Sequence, residues 1–237
     1  MSSLFKIVDS PSSHPPVVIA IDGPAASGKS SVARALAHRL GFGYVNSGAF
    51  YRAVTWFVQE NAVDPHDGPA VAALMERAKV SCWFREGESV IEFDGVDPEP
   101  FLRETRINAH VSAVASVPEV RAGLTAKLRA MAEGRDVVME GRDIGSAVFP
   151  QTAYKFYIDA SPEVRAQRRQ AQAAGEHDEI AARDRTDSTR RTSPLVIAED
   201  AHVIDSSRLT IDGVVGEIIG RLKLKGLPAA LLPAPRP

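Results

Sequence analysis

Residues 17–22 read VVIAID, and residues 23–31 continue as GPAASGKSS. This stretch decides the fold, because the second part fits the phosphate-loop pattern GxxxxGK[ST] directly after an apolar, strand-like run. A strand that feeds a glycine-rich turn and then a helix directs several backbone N–H groups at one point, which makes an anion cradle. Apolar residues follow at helical spacing, as the pattern requires: Ala33, Leu36, Ala37 and Leu40. We therefore predict a phosphate-binding loop.

Two polar residues of the loop support this prediction. Lys29 adds a positive charge to the cradle, and Ser30 stands where the hydroxyl of this motif normally reaches Mg²⁺. The alternative is a glycine turn that merely caps a helix. That alternative accounts for Gly23 and Gly28 but gives no reason for Lys29 or the serines.

Composition limits the class of protein. The chain has 237 residues, 44% of them apolar and 24% charged, as expected for one soluble α/β domain with a small insertion. No apolar run approaches the roughly 18 residues that span a bilayer, and no signal peptide is recognisable, so we expect a cytoplasmic protein without a membrane partner. Cys82 is the only cysteine, which excludes an internal disulfide.

The charge pattern indicates the kind of ligand. A net charge of −2 argues against a nucleic-acid partner. The chain nevertheless contains 21 arginines against 7 lysines, and seven of the arginines lie in residues 165–191. Because the planar guanidinium suits bidentate contacts with phosphate, this segment suggests a small phosphorylated ligand. A solvated helical face is the alternative, and it would be favoured if the segment stood alone.

Strand-like and helical patterns alternate along the chain. This alternation predicts an α/β fold with a five-stranded parallel sheet flanked by helices. The predicted strands are 17–22, 43–46, 136–140, 153–159 and 202–206. The predicted helices are 28–40, 48–61, 68–79, 100–115, 118–133, 161–173 and 210–224. Residues 80–84 and 90–94 instead predict a β-hairpin, and residues 1–16 and 226–237 predict tails.

In such sheets, ligands bind beyond the carboxyl ends of the strands, so residues just after predicted strands are candidates. Ser47 and Gly48 could cap a helix, whereas Arg52, near the start of that helix, is better explained by an anionic partner. Glu140 could support Mg²⁺ through water. Arg142 and Asp143 follow it, with a surface ion pair between them as the alternative.

The last candidates lie in the arginine-rich segment. Arg183, Asp187 and Arg190 are spaced i, i+4 and i+7, so on a helix they share one face. Salt bridges within that helix are the plain interpretation. Two guanidinium groups beside one carboxylate, in a chain with a phosphate loop, favour a lid that brings charge to a transferring phosphoryl group.

Taken together, these pieces resemble the bacterial cytidylate kinases of the nucleoside monophosphate kinase family over about residues 17–224. The stretches that carry the resemblance are IDGPAASGKSS, NSGAFYR, NAHVSAVASVPEVR, EGRDIGSAVFP and ARDRTDSTRRTSPL. The resemblance implies a P-loop kinase core, a nucleoside-monophosphate-binding insertion at about 75–105 and a helical lid at about 166–193. The core would comprise 17–74, 106–165 and 194–225. It also implies a monomer that transfers the γ-phosphoryl group of ATP to CMP or dCMP with Mg²⁺.

The resemblance assigns site residues one by one. ATP phosphates would be bound by Gly23, Pro24, Ala25, Ala26, Ser27, Gly28, Lys29, Ser30 and Ser31. CMP would be bound by Ser47, Arg52, Ser112, Arg121, Arg142, Asp143, Asp187 and Arg190. Lys29, Arg183 and Arg190 would be catalytic, with Mg²⁺ on Ser30 directly and on Glu140 through water. Asn46 and Glu140 depart from the aspartates more usual in the family.

The chemistry of the base favours cytosine independently. Cytosine offers an amino donor at N4, whereas uracil would face Asp143 acceptor to acceptor. Three alternatives stay open: a kinase for uridylate or a small metabolite, a GTPase-like switch, and an inactive scaffold that retains the loop. The switch lacks support, since the sequence has no NKxD segment to read guanine.

Overall fold

The computed structural model describes residues 14–172, 180–190 and 192–233, except the side chains of residues 172 and 180–183. The strands are β1 Val18–Asp22, β2 Gly43–Asn46, β3 Val80–Arg85, β4 Glu88–Phe93, β5 Val137–Gly141, β6 Tyr154–Asp159 and β7 His202–Asp205. The helices are α1 Lys29–Leu40, α2 Ser47–Glu60, α3 Gly68–Arg77, α4 Thr105–Val114, α5 Pro118–Ala130, α6 Pro162–Gln172, α7 Ile180–Thr189 and α8 Ile211–Leu224. A single π-helical turn covers Ile144–Val148.

The sheet confirms the predicted α/β class but has more strands than predicted. Its order is β3-β4-β2-β5-β1-β6-β7, seven strands against the expected five. The five predicted strands form the parallel part, β2-β5-β1-β6-β7. The two additional strands are the predicted hairpin, which joins the sheet because Glu88 of β4 pairs with Tyr44 of β2.

A tight turn makes the hairpin. Glu86 and Gly87 connect β3 to β4, and both have positive φ, 53° and 80°. Two consecutive residues of positive φ are the signature of the turn that matches the twist of paired antiparallel strands. The hairpin prediction for residues 80–94 is therefore confirmed.

Helices cover both faces of the sheet. One face packs against α1 and α8, with Leu36 and Ile218 fully buried, and the other packs against α2, α4 and α5, with Phe50 and Leu124 buried. Burying each such side chain contributes about 1.5–3 kcal/mol. This double cover explains why the central strands are continuous apolar runs.

The core extends past α8. Residues 226–237 were assigned to a tail, yet Leu227 is only 4% exposed and belongs to the core beside α1 and α8. Leu231 and Leu232 also pack against that core. Within the described ranges, no helix combines the length and apolar character needed to cross a bilayer.

The register of the central strands brings their carboxyl ends together. Ile21 of β1 and Asn46 of β2 both pair with Glu140 of β5, and Asp22 pairs with Gly141. The segments that follow these strands, which carry most of the predicted site residues, therefore start at the same edge of the sheet.

Candidate active site

The phosphate loop has the backbone that its glycines predict. Gly23 has φ 153°, and a Cβ there would lie 2.1 Å from the carbonyl oxygen of Ile158, so no side chain fits. Gly28 has φ 90° and precedes α1 without any side-chain cap. A helix N-terminus that its cap residue does not satisfy with a side chain is suited to binding an anion.

Lys29 and Ser27 add polar groups inside the loop. The Nζ of Lys29 donates to the carbonyl oxygen of Pro24 at 3.0 Å, and the residue is 6% exposed. The Oγ of Ser27 is buried without a hydrogen-bond partner among the described residues. An unsatisfied buried hydroxyl is uncommon in folded proteins, which makes this loop a candidate ligand site.

Helix α7 reaches the phosphate loop through Asp184, which the sequence analysis did not single out. The backbone N–H of Ala25 donates to Asp184 Oδ1 at 2.9 Å. Asp184 also pairs with Arg165 of α6, whose Nη1 donates to the carbonyl oxygen of Ala25 at 3.2 Å. The density of arginines in this segment was the only sequence signal of such contacts.

A second arginine of α6 supports the loop from behind. Arg168 Nη1 donates to the carbonyl oxygen of Ser27 at 3.0 Å and to Ser206 Oγ at 3.0 Å. Ser206 Oγ in turn donates to the same Ser27 carbonyl at 2.8 Å. The carbonyl oxygen of Ser27 thus accepts two hydrogen bonds, which fix this part of the loop. Nothing in the sequence marked Ser206 as a residue that supports the loop.

Asp22 is a further functional candidate that the sequence analysis missed. It ends β1, is 6% exposed, and accepts the backbone N–H groups of Ile144 and Gly145 at 2.8 and 2.7 Å. Burial raises the pKa of its carboxyl from 3.8 to about 7, against the lowering effect of those two donors. A carboxylate that ends an apolar strand was the signal available in the sequence.

The start of α2 corrects one expectation. Its cap is Asn46, whose side chain accepts the N–H of Ala49 at 3.0 Å, rather than Ser47 or Gly48. Ser47 instead donates from Oγ to the carbonyl oxygen of Glu140 at 2.8 Å. Since Ser47 is the first helical residue, its hydroxyl is free of the capping role and ties α2 to β5.

The carboxylate of Glu140 is buried at the end of β5. The residue is 2% exposed, and Oε1 accepts a hydrogen bond from the hydroxyl of Tyr44 at 3.2 Å. Burial, followed by the charge of Glu140, raises the pKa of Tyr44, so this hydroxyl stays a donor. The arm of Glu140, longer than an aspartate's, thus has a partner on β2.

Arg121 and Asp143 form a buried ion pair, and each residue is 3% exposed. Arg121 also donates to the carbonyl oxygen of Ala115 at 3.1 Å, and its guanidinium lies 5.3 Å from the centre of the Tyr51 ring. Asp143 therefore pairs with Arg121 of α5. A simple surface ion pair between Asp143 and its neighbour Arg142 is wrong.

Arg142 instead contacts α7. Its Nε donates to Asp187 Oδ2 at 3.0 Å, while Arg190 Nη1 lies 3.5 Å from Asp187 Oδ1. Burial lowers the pKa of Arg190, and the charge of Asp187 opposes that shift. Asp187 is thus shared by a lid residue and a strand-end residue, so salt bridges within one helix do not account for it.

For three predicted site residues, the structure gives a position but does not test the predicted role. Arg52 lies beside Gly48, with Nη1 3.3 Å from where a Cβ would stand. Ser112 lies on α4, and its carbonyl oxygen accepts from Ser116 Oγ at 2.7 Å. Arg183 belongs to α7, but its side chain is outside the described part of the chain. Their roles stay predictions.

Ser30 and Glu140 fit the demands of Mg²⁺. Both present hard oxygen donors, and Ser30 lies in the first turn of α1 beside the candidate phosphate cradle. No group of three His, Cys, Asp or Glu side chains forms a metal site within the described residues. A nucleotide-bound Mg²⁺ does not need one, because phosphates and water supply most of its ligands.

The two halves of the candidate site are linked through Asp22 and through α7. Lys29 and Asp143 are both close enough to Asp22 to shift its pKa, in opposite directions, and Asp143 is bound to Arg121. Helix α7 contacts the phosphate loop through Asp184, and it contacts Arg142 through Asp187. A phosphate-loop backbone linked in this way to a buried guanidinium cluster is the arrangement expected of a P-loop phosphotransferase.

The family follows from comparison with known proteins. The family model described as cytidylate kinase matches residues 19–224. The cytidylate kinase of Pelotomaculum thermopropionicum is 44% identical over 214 residues, which are 86% of this chain and 95% of that protein. The chain therefore belongs to the cytidylate kinase family.

Two further known proteins are similar to this chain, one in sequence and one in fold, and the share of each protein that is matched differs. A bifunctional pantoate ligase/cytidylate kinase of Synechococcus sp. strain WH7803 is 42% identical over 209 residues, which are 84% of this chain but 43% of that protein. The solved structure of shikimate kinase from Acinetobacter baumannii aligns with 90% of this chain and 96% of its own at 14% identity, with a TM-score of 0.44.

Proposed function

We propose that this protein transfers the γ-phosphoryl group of ATP to CMP or dCMP, giving ADP and CDP or dCDP, as a Mg²⁺-dependent, cytoplasmic monomer. The observation that carries the proposal is the position of α7, which contacts Ala25 of the phosphate loop and Arg142 of the guanidinium cluster. One helix thus contacts both the loop proposed to bind ATP and the arginine cluster proposed to bind CMP.

On the donor side, the loop N–H groups and Lys29 hold the ATP phosphates. Ser30 and Glu140 would hold Mg²⁺, which when bound neutralises phosphate charge. The transition state spreads negative charge over the transferring group, so the main work of the protein is placement and positive charge. Lys29 is buried, and its charge is therefore less screened by water than a surface charge would be.

On the acceptor side, Arg52 and Arg142 hold the phosphate of CMP while Arg121 and Asp143 read the base. Asp143 accepts a hydrogen bond from the N4 amino group of cytosine, whereas O4 of uracil is another acceptor and would repel the carboxylate. Leaving such buried groups unpaired costs about 1–3 kcal/mol, which corresponds to roughly ten- to a hundredfold in selectivity. The bound pair of Arg121 and Asp143 holds the carboxylate in one place.

During transfer, an oxygen of the CMP phosphate attacks the γ-phosphorus in line, and ADP leaves without a covalent enzyme intermediate. Arg183 and Arg190 supply charge from the lid. Water must stay out of the cleft because it would otherwise hydrolyse ATP, which gives a physical reason for a lid on this site.

Initial rates test the proposal. We expect turnover with CMP and dCMP, and at least about tenfold lower kcat/KM with UMP and AMP, at fixed ATP and Mg²⁺ with coupled detection of ADP. A UMP preference would assign a uridylate kinase. Preference for GTP without an acceptor would assign a nucleotide switch, and binding of ATP and CMP by calorimetry without turnover would assign an inactive scaffold.

A further inference from the structure

We propose that Asp22 is a positioning residue for base selection, because its carboxylate holds the turn that carries Asp143 against the strand that carries the phosphate loop. This inference rests on the proposed function. Asp22 would act through the backbone of Ile144 and Gly145, without contacting the substrate.

The hydrogen bonds of Asp22 are specific for a carboxylate. Oδ1 accepts the N–H of Ile144 at 2.8 Å, and Oδ2 accepts the N–H of Gly145 at 2.7 Å. Each of these two backbone donors thus has its own carboxylate oxygen as acceptor. Asparagine has one acceptor and one donor group, so it would leave one of these N–H groups facing its own NH₂.

The same turn is confined on its other side. A Cβ on Gly141 would lie 2.5 Å from Ser47 Oγ and 2.8 Å from the side chain of Ile144, and one on Gly145 would lie 3.4 Å from Asp22 Oδ2. The carbonyl oxygen of Asp143 accepts two further N–H groups, from Ala147 at 2.9 Å and Val148 at 3.1 Å. The backbone of the turn is therefore held tightly on β1.

This confinement has a consequence for the base. The carboxylate of Asp143 is one residue before the first N–H group that Asp22 accepts, so a shift of that N–H moves the carboxylate. Displacement of a binding group by about 1 Å can cost on the order of 10²-fold in rate. Asp22 therefore controls how well Asp143 meets the amino group of cytosine.

Burial makes this control pH-dependent, because it is the main cause that raises the pKa of Asp22. The N–H groups of Gly145 and Ile144 oppose that shift, and the charges of Asp143 and Lys29 add smaller effects, raising and lowering the pKa respectively. With the pKa at about 7, protonation below neutral pH turns one of the two oxygens into a hydroxyl, which is a weaker acceptor for its N–H group. The ratio of CMP to UMP activity should then fall as the pH falls from 8 to 6.

The test is Asp22→Asn, measured beside the wild type for kcat and KM with CMP, UMP and ATP between pH 6 and pH 8. We expect the CMP/UMP ratio of kcat/KM to fall by about tenfold at pH 8, with KM for CMP raised and KM for ATP changed less than about twofold. The ratio of the variant should no longer depend on pH. Asp205→Asn, at the exposed end of β7, is the control and should keep the wild-type ratio.

The outcomes are separable. A wild type that does not phosphorylate CMP overturns the proposed function. A wild type that does, together with a folded Asp22→Asn variant of unchanged CMP/UMP ratio, overturns the role of Asp22. If the variant does not fold, the wild-type pH profile decides, because the two substrate phosphates titrate alike and cancel in the ratio. A ratio that stays constant from pH 6 to pH 8 then overturns the inference.

Discussion

The backbone N–H of Ala25, in the middle of the phosphate loop, donates to the carboxylate of Asp184 at 2.9 Å. The Asp184 side chain is 15% exposed and is shared with Arg165. A loop built to bind phosphate oxygens thus has a carboxylate oxygen as the acceptor of one of its amides. The negative charge of Asp184 therefore repels an incoming triphosphate. Its carboxylate also occupies one of the loop N–H groups that could bind a phosphate oxygen.

We expect Asp184→Asn to tighten ATP binding by about three- to tenfold, since it removes a like charge worth roughly 1 kcal/mol from the cradle. Calorimetric titration with ATP gives the affinity. Glu119→Gln, an exposed acid in the first turn of α5, is the matched control and should bind as the wild type does. Weaker ATP binding in Asp184→Asn would instead make Asp184 part of the ATP site.

Lys29→Ala should abolish most turnover without unfolding the protein. Its Nζ donates to the carbonyl oxygen of Pro24, and a single preorganised donor at a transition state is worth about 10²–10³-fold in kcat. Stopped assays with CMP and thermal unfolding measure the two properties. Lys223→Ala, on the exposed side of α8, should leave both unchanged. A Lys29→Ala enzyme with near wild-type kcat would refute the role of Lys29.

Asp143→Asn should erode the preference for CMP over UMP. The amide can turn its NH₂ towards O4 of uracil, so the CMP/UMP ratio of kcat/KM should fall by about tenfold or more. Arg121 loses a charged partner in a buried position, so the variant will also be less stable. The ratio is measured at a temperature where the variant is folded. An unchanged ratio removes Asp143 from the base site.

Ala26→Gly should stabilise the protein slightly. Ala26 has φ 57°, a left-handed conformation that costs a residue with a Cβ about 1–2 kcal/mol. Glycine removes that cost in the folded state. It also raises the conformational entropy of the unfolded chain, which lowers the free energy of unfolding by about 0.4–1 kcal/mol. Urea unfolding measures the difference. Ala126→Gly, exposed within α5, is the contrast and should destabilise by about 1 kcal/mol; equal losses in both would contradict the strain at Ala26.

The pKa of Asp22 predicts a pH dependence of stability. Its folded value of about 7 exceeds the ordinary 3.8, so between these values the folded state holds a proton that the unfolded state has lost. This contribution therefore favours folding at acid pH and declines as the pH rises, by about 1.4 kcal/mol per unit at most. The difference in unfolding free energy, wild type minus Asp22→Asn, should fall from pH 5 to pH 7. A constant difference would contradict the raised pKa.

The sequence by itself determined the local features. The loop from Gly23 to Ser31, the turn at Glu86 and Gly87 and the apolar core strands depend on backbone preference and hydrophobic periodicity over a few neighbouring residues. These signals predicted the class of fold, and the motifs that resemble the cytidylate kinases identified most of the candidate site residues.

Only the tertiary structure decided which charged side chains pair with one another and with the backbone. Asp143 pairs with Arg121 rather than with the adjacent Arg142, and Asp184 meets Ala25 across 159 residues of chain. Such pairings depend on which strand ends converge and on which charged groups become buried together. The energies of long-range ion pairs depend on burial and geometry, and a list of residues contains neither.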